Sequence, residues 1–160
     1  MSRAHAADIP DDGVPGTPDR LRRRASRQLS QLTARSDRLI TDGLAQVDAR
    51  KWHYAVLASL QEFGPGSQAA LSRRSGIYRS DMVGVLNELA ERDLVERAPD
   101  LDDQRRNIIT ISTRGRRHLR LLDKVLDDLH DELLAPLNAA ERDQLLQLLG
   151  RLLDHHARIP

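Results

Sequence analysis

Side chains suited to nucleic-acid contact occupy one face of a predicted helix that begins near residue 79. Arg79 and Asn87 can donate hydrogen bonds to bases or phosphates, Ser80 can bond to either, and Val83 can meet a thymine methyl group. Apolar residues at helical spacing occupy the other face, so one side is buried and the polar side stays exposed. Because a helix fits the roughly 12 Å wide major groove of B-DNA, the pattern predicts a recognition helix. A helical pair with a solvated face is the alternative.

A second charged group, formed by Asp103, Arg105 and Arg106, lies between two short β-prone runs at 94–97 and 107–112. Two such runs around a polar connection predict a β-hairpin. A projecting arginine can enter the narrow minor groove, where the negative potential is strongest, while Asp103 can hold the tip in shape. A solvated turn is the alternative for the tip alone. The helix pair directly upstream favours a DNA-binding wing.

Charge and motif content argue against an enzyme. The chain has 25 Lys and Arg against 24 Asp and Glu, so nucleic-acid binding requires a local basic surface. It has no Cys, no Gly-rich phosphate loop and neither a His-Glu-x-x-His nor a Gly-x-Ser-x-Gly motif. Its six His are scattered, and the neighbours His155 and His156 cannot share a helix face. We therefore predict no catalytic residue, metal or cofactor, and an enzyme is the less favoured class.

The elements that position these side chains are mainly helical. Hydrophobic residues make up 39% of the chain but aromatic residues only 2%, so the apolar mass is mostly aliphatic and suits helix packing. Residues 1–18 hold three of the seven prolines and little apolar surface, which predicts a disordered arm. The apolar spacing from Asp19 onward predicts one long first helix over 19–49.

Residues 50–112 form the predicted DNA-binding domain. Its first helix carries one apolar stripe and stops at the Gly-Pro-Gly run of residues 64–66. The residues of this stripe are Trp52, Val56, Leu60 and Phe63. Ser67 can cap a short helix over 68–74, and Gly76 can take the positive φ of a tight turn before the recognition helix.

Residues 113–160 contain two further helices, which brings the predicted number to six. The first carries Leu at steps of three and four, a narrow seam typical of helices packed side by side. A capping box, Asn138 to Glu141, precedes the last helix. If the terminal helices show apolar surface that residues 50–112 cannot cover, a second copy of the chain is the best cover, so we predict a homodimer. A helical dimeric adaptor that binds another protein is the alternative.

Several stretches of the sequence resemble the MarR family of winged helix-turn-helix transcriptional regulators, from about Arg50 to His118. They are Tyr54-Ala55-Val56-Leu57, Ser67-Gln68-Ala69-Ala70-Leu71, Arg79-Ser80, Leu94-Val95-Glu96-Arg97, Pro99-Asp100-Leu101-Asp102-Asp103-Gln104-Arg105 and Thr113-Arg114-Gly115-Arg116. The resemblance implies a mainly α fold with a small β-hairpin wing and a homodimer joined through its terminal helices. It also implies repression at a palindromic operator in double-stranded DNA.

The expected DNA contacts combine the exposed helix face, the start of the short helix and the hairpin tip. They are Ser67, Gln68, Arg73, Tyr78, Arg79, Ser80, Val83, Asn87, Arg105 and Arg106, with Asp103 stabilising the wing.

The resemblance also implies release by a small aromatic or anionic effector, bound between the first and second helices. Trp52 can stack on such a ligand, while His53 and Arg24 can pair with its charge. The alternative is a core Trp52, a capping His53 and a solvated Arg24.

The sequence also bears on location. No apolar run approaches the ~20 residues of a bilayer span, and residues 1–20 lack a signal-peptide core, so we expect a cytoplasmic protein without a membrane partner.

Overall fold

The computed structural model describes residues 17–101 and 107–157. Within these ranges the chain forms seven helices and three short strands. In chain order they are α1 (Asp19–Arg22), α2 (Ala25–Ala45), α3 (Lys51–Phe63), β1 (Gly66–Ser67), α4 (Gln68–Ser75), α5 (Arg79–Glu91), β2 (Val95–Pro99), β3 (Asn107–Ile111), α6 (Thr113–Leu133) and α7 (Ala139–Ala157).

The predicted first helix is divided, which is why the structure has seven helices where the sequence pattern indicates six. Arg24 is extended, with ψ at 115°, and separates α1 from α2. The Gln28 side chain donates to the Arg22 carbonyl across this break at 2.9 Å. At its other end α2 stops at Ala45, because Asp48 takes a left-handed φ of 53° that a helix cannot continue. Of the predicted disordered arm, residues 1–16 lie outside the described residues.

The helix-turn-helix prediction is confirmed in its local geometry. The Ser67 side chain accepts from the Ala70 amide and caps α4. Gly76 ends α4 with a φ of 70°, the left-handed conformation that glycine adopts without steric cost. The next helix begins at Arg79, as the sequence predicts, and Tyr78 precedes it without a capping hydrogen bond from its side chain.

The predicted hairpin is also present. β2 and β3 pair antiparallel, with Val95 opposite Ile111 and Pro99 opposite Asn107. The sequence reading missed β1, which pairs with the other side of β3 and puts Gly66 opposite Ile109. Two residues are too few to show the alternation by which a strand is recognised in sequence. This third strand ties the start of α4 to the base of the wing.

The core lies where α3, α4, α5 and α6 close on the small sheet. Its most completely buried side chains include Leu57, Leu71, Met82, Leu89 and Leu122. The predicted stripe of α3 is wrong at both ends, because Trp52 is 49% exposed and Phe63 is 57% exposed, while Val56 and Leu60 are buried. The buried positions of α3 are instead 53, 56, 57, 59 and 60.

The two C-terminal helices differ in burial. α6 buries three leucines against the rest of the protomer, whereas α7 has no buried residue. The predicted capping box is present, since the Asn138 amide donates to Glu141 Oε2 at 2.9 Å and the Glu141 amide donates to Asn138 Oδ1 at 3.1 Å. In the described ranges no helix is both long and apolar enough to cross a bilayer.

Candidate nucleic-acid interface

The outer face of α5 is exposed over its whole length. Arg79, Ser80, Val83 and Asn87 all lie on the solvent side, opposite the buried Met82 and its apolar neighbours. Arg79 and Asn87 are eight residues apart, a separation of about 12 Å along the helix axis. The face therefore carries a cation at its start, a small apolar residue in its middle and an amide further along.

The beginning of α4 lies beside the beginning of α5. Ser67, Gln68 and Arg79 line one groove of about 350 Å³, together with Arg97 of β2 and Asn107 of β3. The Gln68 amide nitrogen approaches the Arg79 carbonyl oxygen at 3.4 Å. The Ser67 hydroxyl already accepts from the Ala70 amide, but it retains its own hydrogen for donation. The structure thus brings three predicted contact residues together at one opening.

Arg73 and Tyr78 lie at the turn between the two helices. Both are exposed, and Tyr78 is 80% exposed. The neighbouring Arg74 points elsewhere, since its guanidinium lies 5.2 Å from the centre of the Phe63 ring. An exposed cation and an exposed phenol therefore lie close in sequence to the start of α5.

Arg97 is a residue that the sequence reading missed. Its Nη2 donates to Asn87 Oδ1 at 2.8 Å and joins β2 to α5. The only sequence signal was its place in the strand two residues after the buried Val95, which puts both side chains on one side of the hairpin. Asp103, Arg105 and Arg106 lie outside the described residues, so their roles stay predictions from sequence.

A second opening, of about 750 Å³, lies between the end of α2, the start of α3 and the end of α5. Trp52 and His53 both line it, beside Arg50, Lys51 and Arg92. Arg24 is not among the lining residues, because it precedes α2 and lies about 25 Å along that helix from the lining residue Thr41. The structure therefore brings together two of the three predicted effector residues and separates the third within the protomer.

His53 is buried and takes part in a hydrogen-bond network with the more exposed Arg50 and Glu88. Its Nδ1 accepts from the Arg50 amide at 3.2 Å, so the ring proton sits on Nε2, which lies 2.8 Å from Glu88 Oε2. Arg50 Nη2 contacts both Glu88 oxygens at 2.8 Å. The hydrogen bond from His53, together with the Arg50 charge, holds the pKa of the Glu88 carboxyl below its usual range. These three side chains, the Arg50–His53–Glu88 network, connect the start of α3 to the recognition helix.

Comparison with known proteins decides the family. The MarR family model matches residues 52–106, the region that holds most of α3, all of α4 and α5, and the first hairpin strand β2. A crystal structure of a probable transcriptional regulator from Pseudomonas aeruginosa is 30% identical, with a TM-score of 0.72 over 82% of this chain and 98% of that chain. The chain belongs to the MarR family.

Two further MarR-family comparisons bear on function. The HTH-type transcriptional repressor NicR from Pseudomonas putida is 29% identical over 101 residues, which are 63% of this chain and 64% of that protein. The match thus spans slightly less than two thirds of this curated relative. A mutant of E. coli MarR complexed with operator DNA is 25% identical, with a TM-score of 0.69 over 80% of this chain and 92% of that one. The predicted fold class, a mainly helical winged helix-turn-helix, is confirmed, and members of this family are transcriptional regulators.

Within residues 17–101 and 107–157, no three His, Cys, Asp or Glu side chains come close enough together to hold a metal ion. The polar groups of the interface are instead donors: guanidinium, amide and hydroxyl groups. Donors of this kind complement phosphate oxygens and the acceptor edges of bases.

Proposed function

We propose that the chain binds double-stranded DNA as a homodimer and represses transcription from a palindromic operator. The observation that carries this proposal is the exposed face of α5, flanked by the donor-lined groove that α4 and the wing share with it. A helix enters the major groove with its first residues toward the bases, which puts Arg79 and Ser80 in the leading position. We propose this role instead of an enzymatic one, and it requires the compartment that holds the chromosome, the cytoplasm.

The dimer is proposed from α7. Six leucines lie in this helix, none is buried within the protomer, and Leu153 is 71% exposed. α2 likewise buries only Leu44 of its 21 residues. A second copy related by a two-fold axis would cover both helices and would set two α5 helices about one DNA turn, roughly 34 Å, apart.

The dimer can be tested by light scattering coupled to size-exclusion chromatography. We expect a mass of twice 18.0 kDa and a shift toward the protomer for Leu153→Asp. A control, Leu101→Asp, changes a fully exposed leucine in the hairpin connection and should leave the mass unchanged. A wild-type protein of protomer mass would contradict the dimer.

We further propose that a small aromatic or anionic effector binds in the opening beside Trp52. The supporting features are a half-exposed indole face and the cations of Arg50, Lys51 and Arg92 around a space of suitable size. His53 serves there to hold α3 to α5. Because Glu88 of the recognition helix lines the same opening, a bound anion would act directly beside the DNA-reading element.

The DNA-binding proposal can be tested by titrating the protein into fluorescent duplexes selected from genomic fragments, at several salt concentrations. A dimer that makes 6 to 10 phosphate contacts should lose roughly 10³ to 10⁵ in affinity between 50 and 200 mM salt. Arg79→Ala should cost about 1 to 3 kcal/mol if Arg79 reads a base. The matched control is Lys124→Ala, which removes one exposed positive charge from α6. Absence of salt-dependent binding to any duplex would contradict the proposal and favour the protein-binding adaptor.

A further inference from the structure

The contact between Arg97 and Asn87 determines which way the Asn87 amide faces. Arginine has donors only, so the atom 2.8 Å from Arg97 Nη2 must be the amide oxygen, Oδ1. The amide nitrogen, with its two hydrogens, then points away from Arg97. Both residues are exposed, and their elements meet along the groove at the base of the wing. The side chain of Asn87 is therefore oriented before any DNA is bound.

An oriented amide reads fewer bases than a free one. Asparagine recognises adenine by using both ends of its amide, since Oδ1 accepts from N6 while Nδ2 donates to N7. In this chain Oδ1 already accepts from the Arg97 cation, which leaves it one lone pair with a positive charge beside it. What Asn87 offers to a base edge is its pair of donor hydrogens, which suit the O6 and N7 acceptors of guanine or the O4 acceptor of thymine.

The positive charge of Arg97 favours the same bases. The Arg97 guanidinium always carries its charge, and it lies within hydrogen-bond distance of the atom that would have to accept from adenine. A positive charge there disfavours the amino hydrogens of adenine N6 and favours an acceptor such as guanine O6.

We propose that Arg97 is a positioning residue for base recognition, an inference that rests on the proposed DNA-binding function. It orients Asn87 so that this side chain presents hydrogen-bond donors to the base and selects guanine or thymine over adenine. Arg97 acts through Asn87 and needs no base contact of its own. Because the proposed dimer is two-fold symmetric, the preference falls at one position in each half-site.

The test is selection of bound duplexes from a randomised library, followed by affinity measurements on single-base variants of the selected site. For the wild type we expect guanine or thymine at one symmetric position, preferred over adenine by about 30-fold, the middle of the range for a good side-chain–base pair. Asn87→Ala should abolish the preference there and leave the other positions unchanged. Arg97→Ala should shift the same position toward adenine, because the released amide can then use both of its ends.

Two further variants test whether Arg97 acts through its hydrogen bond to Asn87. Arg97→Lys retains a donor and a charge, so it should keep the wild-type preference. The double variant Arg97→Ala with Asn87→Ala should show the same base preferences as Asn87→Ala alone, because Arg97 acts only through the amide.

Other outcomes would overturn the inference. If Arg97→Ala weakens binding equally for all sequences and lowers the salt slope by about 1.8, which is about 0.9 for each of the two copies in the dimer, Arg97 is a phosphate contact. If Arg97→Ala leaves the base preference at the position read by Asn87 unchanged, the amide is not oriented by Arg97. A wild-type protein that binds no duplex would instead overturn the proposed function itself.

Discussion

Gly115 lies where the first turn of α6 packs against the base of the wing, and its replacement by alanine tests that packing. Its amide donates to the capping Ser112 hydroxyl at 2.8 Å. A Cβ at this position would overlap the backbone carbonyl oxygen of Leu94 and lie 2.9 Å from Ile111 Cγ1. The Leu94 carbonyl cannot simply move away, because it accepts from the Ser112 amide at 3.1 Å. Relief of the overlap therefore requires the wing and α6 to separate.

The expected cost follows from two opposed effects. Overpacking of a tight site costs typically about 1–3 kcal/mol, and a clash with backbone lies at the upper end. Replacing glycine by alanine inside a helix returns roughly 0.5–1 kcal/mol. We expect Gly115→Ala to be destabilised by about 2 kcal/mol, a fall in Tm of about 4–8 °C for a chain of this size.

Urea unfolding followed by circular dichroism, at one fixed protein concentration, measures this difference. The matched control is Gly84→Ala in α5, where an added Cβ meets nothing within 4 Å, so this variant should be as stable as the wild type or slightly more so. Equal stability of the two variants would contradict this close packing, since it would mean that α6 and the wing do not approach each other as closely as the structure shows.

Three further changes probe other contacts. Leu122→Ala removes a fully buried side chain of α6 and should cost about 2–5 kcal/mol in urea unfolding; a loss below 1 kcal/mol would contradict its place in the core. Tyr54→Phe deletes the 3.0 Å hydrogen bond to Asp123 and should cost about 1 kcal/mol, with no change in DNA affinity. Glu88→Gln should lower stability at pH 7 by less than about 1 kcal/mol, since this carboxylate is partly exposed and screened. Because the hydrogen bond from His53 lowers the pKa of Glu88 from 4.5, the wild-type advantage should disappear as pH falls below 4.5 and through the lowered folded-state pKa; a gap that stays constant with pH would contradict this contact.

The helix-turn-helix, the hairpin and the capping box could be predicted because each depends on residues close together in sequence. A capping side chain three residues from its target, or a glycine at a left-handed turn, acts within one turn of backbone. The division of the first helix was harder to foresee, since Arg24 has no strong helix-breaking character and the helix on either side keeps its apolar spacing.

The interface residues also differ in whether they depend on residues close in sequence. The exposed face of α5 follows from helical periodicity, so Arg79, Ser80, Val83 and Asn87 could be named from sequence alone. The orientation of Asn87 by Arg97 and the Arg50–His53–Glu88 network could not, because both join different elements, and the Arg50–Glu88 pair spans 38 residues.

Apart from the break at Arg24, the helical segments, their turns and the polar face of α5 follow from the amino-acid sequence alone, since these properties arise from local backbone preferences and from the period of apolar residues. Packing between the elements is what leaves Trp52 and Phe63 at the surface, keeps Arg24 far from the opening beside α3, and joins α4 to the wing through a two-residue strand. These outcomes depend on how whole elements close over one another, and packing between distant segments is not encoded in the spacing of neighbours.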